Sequence, residues 1–240
     1  MTAPVRRPGG ARAARRAHEA VVFDLDGTLM DSVQPDFLAC TALFAEYGAR
    51  LPRDVWAREV CGRPEGYPRL FALLRRAGAA ASDERLRSRL AELWNVFMTP
   101  AHIRLLPGVP EVLERSREAG LRLAVASSSE RRWVRRWLRH FALDHHFDAV
   151  ITGDDVERRK PAPDAYLRAA AALGAAPARC VAVEDSLTGI AAARSAGLTV
   201  VAVPTALTRD LDHGAAHLVV RDLRTVDLAA LEGRTRTAWT

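Results

Sequence analysis

An apolar run that ends in two closely spaced carboxylates constrains the fold of this chain more than any other feature. Residues 21–23 are Val, Val and Phe, and Asp24, Leu25, Asp26 and Gly27 follow them directly. Such a run predicts a strand buried on both faces of a parallel sheet. Open α/β sheets bind ligands at the carboxyl ends of their strands. Because side chains two apart on a strand point the same way, Asp24 and Asp26 are expected to face one small volume, where two negative groups need a cation or a shared proton.

Short apolar or β-branched runs alternate with amphipathic stretches along the rest of the chain. The runs, each a candidate strand, lie at 121–126, 149–152, 180–184, 198–203 and 217–220. The helical patterns between them lie at 108–119, 163–173 and 186–196. Strands alternating with helices imply right-handed βαβ units. The predicted fold class is therefore α/β, with a Rossmann-like parallel sheet flanked by helices.

The interval between the first strand and the second breaks this alternation. A crossover between parallel strands needs roughly a dozen residues or more, yet a much longer segment without a convincing strand intervenes here. It contains helical patterns at 33–47, 67–77 and 82–98, the last with Ser82 as its candidate N-cap. We therefore expect an inserted all-helical domain. The predicted parts are a disordered basic tail (1–19), an α/β core (20–32 and 105–240) and a helical cap (33–104).

Composition limits the class of protein. The chain has 240 residues, 49% of them hydrophobic, which is enough for one large core or two smaller ones. No apolar run approaches the roughly 18 residues that span a membrane. The three cysteines (Cys40, Cys61 and Cys180) are far apart without CxxC spacing, as in a reduced, cytoplasmic protein. The net charge of +6 lies largely in the Arg-rich tail, which is typical of a transit peptide, a nucleic-acid arm or a disordered extension, and we favour the extension.

Lys160 is the single lysine among 35 basic residues, and it stands beside Pro161 and Pro163. Arginine and lysine are not interchangeable where a compact point charge is needed. The prolines fix the backbone ahead of a helix that starts near Asp164. This placement indicates an ammonium held where it can meet a phosphate oxygen and a nucleophile together.

Two more strands end in polar side chains. The run 121–126 is followed by Ser127, Ser128 and Ser129, whose hydroxyls and following helix N-terminus suit a phosphate, although one of them can equally serve as an N-cap. The run 180–184 ends in Glu184 and Asp185, and oxygen ligands at a strand end suit Mg²⁺.

In their order along the chain, four segments resemble the four motifs of the haloacid dehalogenase superfamily in its phosphatase form. They lie at 21–32, 123–129, 160–164 and 180–189. The resemblance spans about residues 20 to 220, and the helical cap is similar to that of the β-phosphoglucomutase-like branch. It implies that Asp24 is the nucleophile, that Asp26 is the general acid and base, and that Ser127 and Lys160 contact the phosphoryl group. Dehalogenases of the superfamily lack the second Asp, so the sequence favours phosphoryl chemistry over carbon–halogen cleavage.

The resemblance also implies a cofactor and a substrate. Mg²⁺ is expected on Asp24, the main-chain carbonyl of Asp26, Asp185, and Glu184 either directly or through water. The expected partner is a small phosphorylated metabolite, with sugar phosphates first. Further candidate substrate-binding residues are Gly27, Thr28 and Ser128 in the core and Arg63 and Glu65 in a loop of the cap. The loop residues can equally be a solvated turn.

Alternatives remain open. A sugar phosphomutase of the same branch would use the same nucleophile. Those enzymes, which this chain resembles, carry a His at the position of Asp36 and a cap-loop Arg at the position that corresponds roughly to Glu65, and both differences favour hydrolysis. Nucleic-acid binding through the tail or the Arg-rich segment 131–139 is a remote alternative, because Trp133 and Trp137 are spaced to face a core with Arg on the solvated side. We favour a monomer.

Overall fold

The computed structural model describes residues 18–226, and its centre is a six-stranded parallel sheet. The strands are β1 (Ala20–Phe23), β2 (Arg122–Ala126), β3 (Ala149–Ile151), β4 (Cys180–Glu184), β5 (Thr199–Ala202) and β6 (Leu218–Val219). They lie in the order β3-β2-β1-β4-β5-β6, and every neighbouring pair is parallel. The predicted α/β class with a Rossmann-like core is confirmed.

The central strand β1 is completely buried, as its apolar sequence predicts. Its residue Phe23 lies level with Val125 of β2 and Val183 of β4, so the three strands end at the same edge. This register brings the residues that follow β1, β2 and β4 to one place. The sheet thereby positions the polar side chains that the sequence sets at each strand end.

Helices cover both faces of the sheet. They are α5 (Val109–Glu118), α6 (Arg131–His140), α7 (Asp164–Ala172) and α8 (Leu187–Ser195). Val21 and Phe23 of β1 belong to a cluster with Leu113 of α5 and Trp137 of α6. The alternate residues of β1 belong to a second cluster, which includes residues of α7 and α8. The period of two along β1 thus divides the core into two layers.

Five helices lie between β1 and β2, and we call the first four of them the helical insert. They are α1 (Val33–Glu46), α2 (Arg53–Glu59), α3 (Gly66–Arg76) and α4 (Asp83–Phe97), and they share a hydrophobic cluster of their own. The sequence predicts α1, α3 and α4 but misses α2. That helix has seven residues and buries only Trp56 and Ala57, so its apolar periodicity is too short to read.

The two ends of the helical insert lie side by side. Met30 forms an antiparallel bridge with Leu105, and the amide of Asp31 donates to the carbonyl of Arg104 at 2.8 Å. The domain boundaries at residues 33 and 104 stay a prediction. Most of the predicted basic tail, up to residue 17, lies outside the described residues, as does the segment 227–240 of the predicted core. None of the helices within 18–226 is both long and apolar enough to cross a membrane.

Candidate active site

Lys160 forms an ion-paired cluster with two acids at the carboxyl edge of the sheet. Its Nζ donates to Oδ1 of Asp24 at 2.6 Å and to Oε1 of Glu184 at 2.5 Å. Nζ also donates to the hydroxyl of Tyr166 at 3.2 Å, and that hydroxyl donates to Oε1 of Glu184 at 2.8 Å. Asp24, Lys160 and Glu184 are buried. The sequence predicted that the first two would meet, but it missed Tyr166, whose helical position in α7 carries no separate signal.

Burial and mutual repulsion shift the protonation of these acids. Burial, together with Glu184 and Asp26, raises the pKa of Asp24 to about 8 against the lowering effect of Lys160. Burial, with Glu184 and Asp24, raises the pKa of Asp185 well above its usual value. Burial alone would lower the pKa of Lys160, but Asp24 and Glu184 raise it well above its usual value. The site therefore holds more carboxyl groups than one ammonium can balance if all of them are ionised, and the raised pKa values express that imbalance.

The same acids have the arrangement of a metal site. Carboxylate oxygens of Asp24, Glu184 and Asp185 all lie within 4.8 Å of one another. Buried carboxylates without enough positive charge need a cation, and oxygen ligands suit Mg²⁺. Both oxygens of Glu184 already accept hydrogen bonds: Oε1 from Lys160 and Tyr166, and Oε2 from the amide of Asp185 at 3.0 Å. The donor set fits a divalent ion, with Asp24 and Asp185 having the freer oxygens.

Two glycines make room for these acids. A Cβ on Gly27, where φ is +90°, would lie 2.2 Å from Oδ2 of Asp185. A Cβ on Gly189, in the first turn of α8, would lie 1.7 Å from Oε1 of Glu184. The buried hydroxyl of Thr28 donates to Oδ1 of Asp185 at 3.2 Å. Gly27 and Thr28, predicted as substrate contacts, thus both lie against Asp185.

Asp26 accepts hydrogen bonds on both carboxylate oxygens. Oδ1 accepts from Oγ of Ser32 and from Nε1 of Trp133, each at 2.9 Å. Oδ2 accepts from Oγ of Ser129 at 2.7 Å and from Oγ of Ser127 at 3.5 Å. Trp133 packs against the core, as its spacing predicts, but the sequence did not reveal its contact with Asp26. Ser32 and Ser129 were likewise not predicted to bind Asp26.

The three serines after β2 differ in their surroundings. Ser127 is buried, and its Oγ accepts from the amide of Ser129 at 3.0 Å while facing Asp26. Ser128 is half-buried, and its carbonyl lies where a Cβ on Gly153 would be 2.4 Å away. The structure therefore brings Ser127 and Ser129 together at Asp26, while Ser128 packs beside Gly153.

The loop between α2 and α3 approaches the metal-site edge of the core. The carbonyl of Gly62 accepts from Oγ1 of Thr188 at 2.5 Å. Arg63 is exposed, lines a small cleft that also includes Asp185, and donates through Nε to the carbonyl of Arg58. Glu65 is exposed at the N-cap of α3 and does not line this cleft. The structure thus brings Arg63 near the acids but leaves Glu65 at the surface.

Asp36 is a further acid next to the site, one helical turn beyond Ser32 in α1. Its Oδ2 accepts from the hydroxyl of Tyr67 at 3.0 Å, and its Oδ1 accepts from Nε1 of Trp94 at 2.8 Å. Burial raises the pKa of Asp36 to about 6 despite both donors, and Asp26 adds to the rise. Asp36 thus places a carboxyl group in the helical insert, close enough to Asp26 for the charge of Asp26 to raise its pKa.

Comparison with known proteins agrees with this geometry. The family model described as haloacid dehalogenase-like hydrolase matches residues 18–197. The chain belongs to this family. Among haloacid dehalogenase-like hydrolases, it is 35% identical over 182 residues to the "Phosphorylated carbohydrates phosphatase" of Thermotoga maritima, which covers 75% of this chain and 82% of the relative.

Two further relatives carry other names. The chain is 32% identical over 194 residues to the "Beta-phosphoglucomutase" of Bacillus subtilis, covering 77% of this chain and 83% of the relative. The solved structure of CbbY from Rhodobacter sphaeroides in complex with phosphate matches with a TM-score of 0.69 and 30% identity, covering 87% of this chain and 96% of the other. The predicted similarity to the β-phosphoglucomutase-like branch of the family is thereby confirmed.

Proposed function

We propose that this hydrolase is a Mg²⁺-dependent phosphatase that cleaves a small phosphorylated metabolite through an aspartyl-phosphate on Asp24. The observation that carries the proposal is the buried contact of Lys160 with Oδ1 of Asp24 at 2.6 Å, beside the acid cluster with Asp185. A carboxylate next to a fixed ammonium and a cation site is arranged to attack an anionic phosphoryl group.

The reaction divides between two carboxylates. Asp24 attacks phosphorus in line, and the bond to the leaving oxygen breaks while Asp26 gives that oxygen a proton. Asp26 then takes a proton from the water that attacks the aspartyl-phosphate, which releases phosphate and restores Asp24. Lys160 and Ser127 offset charge on the phosphoryl oxygens.

Mg²⁺ would be held by Asp24, Asp185 and the main-chain carbonyl of Asp26, with Glu184 as a direct ligand or through water. When bound, it would supply positive charge for the phosphoryl oxygens. Glu184 has a second task, because it anchors Lys160 through Oε1 at 2.5 Å. Gly27 and Thr28 would support the phosphate indirectly, by holding Asp185 in place.

A sugar phosphate is the substrate class that we propose. The Thermotoga maritima relative is named for phosphorylated carbohydrates, which supports this choice. The leaving group would lie between Asp26 and the helical insert, near Asp36 and the loop that holds Arg63. Arg63 would meet an anionic group of the substrate, Glu65 a hydroxyl, and Ser128 the phosphoryl end.

The three cysteines are free, which supports a location in a reducing compartment such as the cytoplasm. We also propose a monomer.

A sugar phosphomutase is the second candidate, supported by the relative named Beta-phosphoglucomutase. A mutase must accept a sugar bisphosphate, so its site has to tolerate a second phosphate. Asp36 places a carboxylate near Asp26, which favours hydrolysis. Incubation with a sugar 1-phosphate and its bisphosphate separates the two activities: a mutase gives the 6-phosphate, and a phosphatase gives free phosphate.

Replacing the nucleophile tests the proposed function. Asp24→Asn should lower the rate of phosphate release from a panel of sugar phosphates by on the order of 10³-fold or more, because an amide cannot form the intermediate. Asp144→Asn, an exposed acid in the turn before β3, is the matched control and should keep wild-type activity. Chelation should suppress wild-type turnover, and added Mg²⁺ should restore it. Full activity of Asp24→Asn would refute the scheme.

A further inference from the structure

The two oxygens of Asp26 are held in different ways. Oδ1 accepts two short hydrogen bonds, from Ser32 and from Trp133, at 2.9 Å each. Oδ2 accepts one short bond, from Ser129 at 2.7 Å, while the contact with Ser127 is 3.5 Å long. A carboxylate oxygen has about two lone-pair sites, so Oδ1 is saturated and Oδ2 keeps capacity on the side of Ser127.

The indole of Trp133 is a rigid donor. Its ring packs edge-on against Trp137 with centroids 5.5 Å apart, and Trp137 is fully buried one turn further along α6. A packed indole has few rotamers open to it, whereas the hydroxyls of Ser32 and Ser129 rotate freely about their C–O bonds. Trp133 therefore fixes the direction of the Asp26 carboxylate more strictly than either serine does.

Of the two tryptophans on α6, Trp133 is the one whose indole N–H donates to Asp26. Nε1 of Trp137 is buried and has no hydrogen-bond partner among residues 18–226. Two indoles on one helix thus differ: one packs only, and the other also donates to a charged acceptor. Hydrogen bonds to charged groups are stronger than hydrogen bonds between neutral groups. The hydrogen bond from Trp133 is therefore able to orient the carboxylate of Asp26.

We propose that Trp133 is a positioning residue for the general acid and base, an inference that rests on the proposed function. By holding Oδ1, the indole turns Oδ2 toward Ser127, and so toward the phosphoryl group and its leaving oxygen. Proton transfer is efficient only when donor and acceptor are aligned. Loss of the hydrogen bond from Trp133 therefore lowers the rate at which Asp26 transfers its proton.

The effect depends on the leaving group. An alkoxide or phenolate needs a proton as it departs, whereas p-nitrophenolate is stable without one. The kcat/KM value reports the steps up to the first irreversible one, which is attack by Asp24 with loss of the leaving group. Later hydrolysis of the intermediate does not enter it. A defect in Asp26 as an acid should therefore lower kcat/KM for a basic leaving group and spare an activated one.

Trp133→Phe tests this with phenyl phosphate and p-nitrophenyl phosphate, which differ little in shape. We expect kcat/KM for phenyl phosphate to fall by on the order of 10-fold, and for p-nitrophenyl phosphate by no more than about 2-fold. Trp137→Phe is the matched control, since it removes an indole N–H that does not touch Asp26 and keeps an aromatic ring against Trp133. It should leave the ratio of the two kcat/KM values unchanged. An equal fall for both esters in Trp133→Phe would overturn the proposal.

A measurement without turnover separates this inference from the proposed function. The indole N–H resonance of Trp133, assigned as the one lost in Trp133→Phe, should shift in the proton–nitrogen NMR spectrum when Asp26→Asn replaces its acceptor. The resonance of Trp137 should stay in place. An unmoved Trp133 resonance would overturn the inference. Wild-type protein that hydrolyses neither ester nor any sugar phosphate of the panel, yet shows the shift, would instead overturn the proposed function.

Discussion

Asp36 is a half-buried acid that joins three helices of the helical insert, because it lies in α1 and accepts hydrogen bonds from Tyr67 of α3 and Trp94 of α4. Its carboxylate has two strong donors, Tyr67 and Trp94, yet its pKa lies at about 6 because burial outweighs them. An acid whose pKa is higher in the folded state than in the unfolded state holds its proton more tightly when folded. Its contribution to stability is therefore present at low pH and is lost as pH rises from the unfolded to the folded value.

The pH dependence of stability should reveal this group. Between pH 4 and pH 7 the wild type should lose free energy of unfolding relative to Asp36→Asn, by about 2 to 3 kcal/mol, because the variant has no proton to release there. Urea unfolding at both pH values measures the difference. Ser88→Ala, an exposed change that removes no titratable group, should show no such pH-dependent difference. A constant gap between wild type and Asp36→Asn would contradict the assignment.

Among the helices, an N-terminus marked by a capping residue could be predicted from the sequence more readily than a short helix. Ser82 is the N-cap of α4, as predicted, and its side chain accepts from the amide of Arg85 at 3.3 Å. The helix α6 begins after Glu130 without a side-chain cap, and α2 begins after Pro52 likewise. The cap of α4 satisfies one of the amides that every helix leaves free at its start.

Removing that cap should cost a predictable amount. Ser82→Ala is expected to lower the free energy of unfolding by about 1 kcal/mol, because the amide of Arg85 loses its acceptor. Denaturant unfolding at neutral pH measures it. Ser88→Ala, an exposed change in the middle of the same helix, should be neutral or slightly stabilising, because alanine favours helix. Equal effects of the two changes would show that the cap is not important.

For the whole molecule, a residue far along the chain completes the core of the helical insert. Leu207, which follows β5, is buried in the same hydrophobic cluster as Trp56 of α2 and Phe71 of α3. Leu211 packs against this cluster as well. The segment after β5 therefore contributes side chains to the core of the insert, in addition to the paired chain crossings at Met30 and Leu105.

This packing predicts a global effect of a local change. Leu207→Ala should lower the free energy of unfolding by about 2 to 4 kcal/mol, since it leaves a cavity between the insert and the segment after β5. Amide hydrogen exchange should become faster in the helices of the insert, although the mutated residue lies outside the insert, after β5. Leu167→Ala is the matched control, because Leu167 is 43% exposed on α7. Unchanged exchange in the insert would refute the coupling.

The sequence by itself determined the strands and the principal helices, because these follow from local patterns of apolar and polar residues. The family followed from the resemblance of four motifs in their order along the chain. The sequence also singled out Asp24, Asp26, Lys160 and Asp185, because each stands beside a strand end or just before a pair of prolines. Their roles stay predictions that the geometry supports.

Only the tertiary structure decided the contacts that link distant segments. The donors to Asp26 come from residues 32, 127, 129 and 133, and Lys160 shares Glu184 with Tyr166. Leu207 joined the insert in the same way. Such contacts depend on how far each strand and helix extends and how the layers pack. No local pattern records a hydrogen bond between side chains that meet only after the chain has folded.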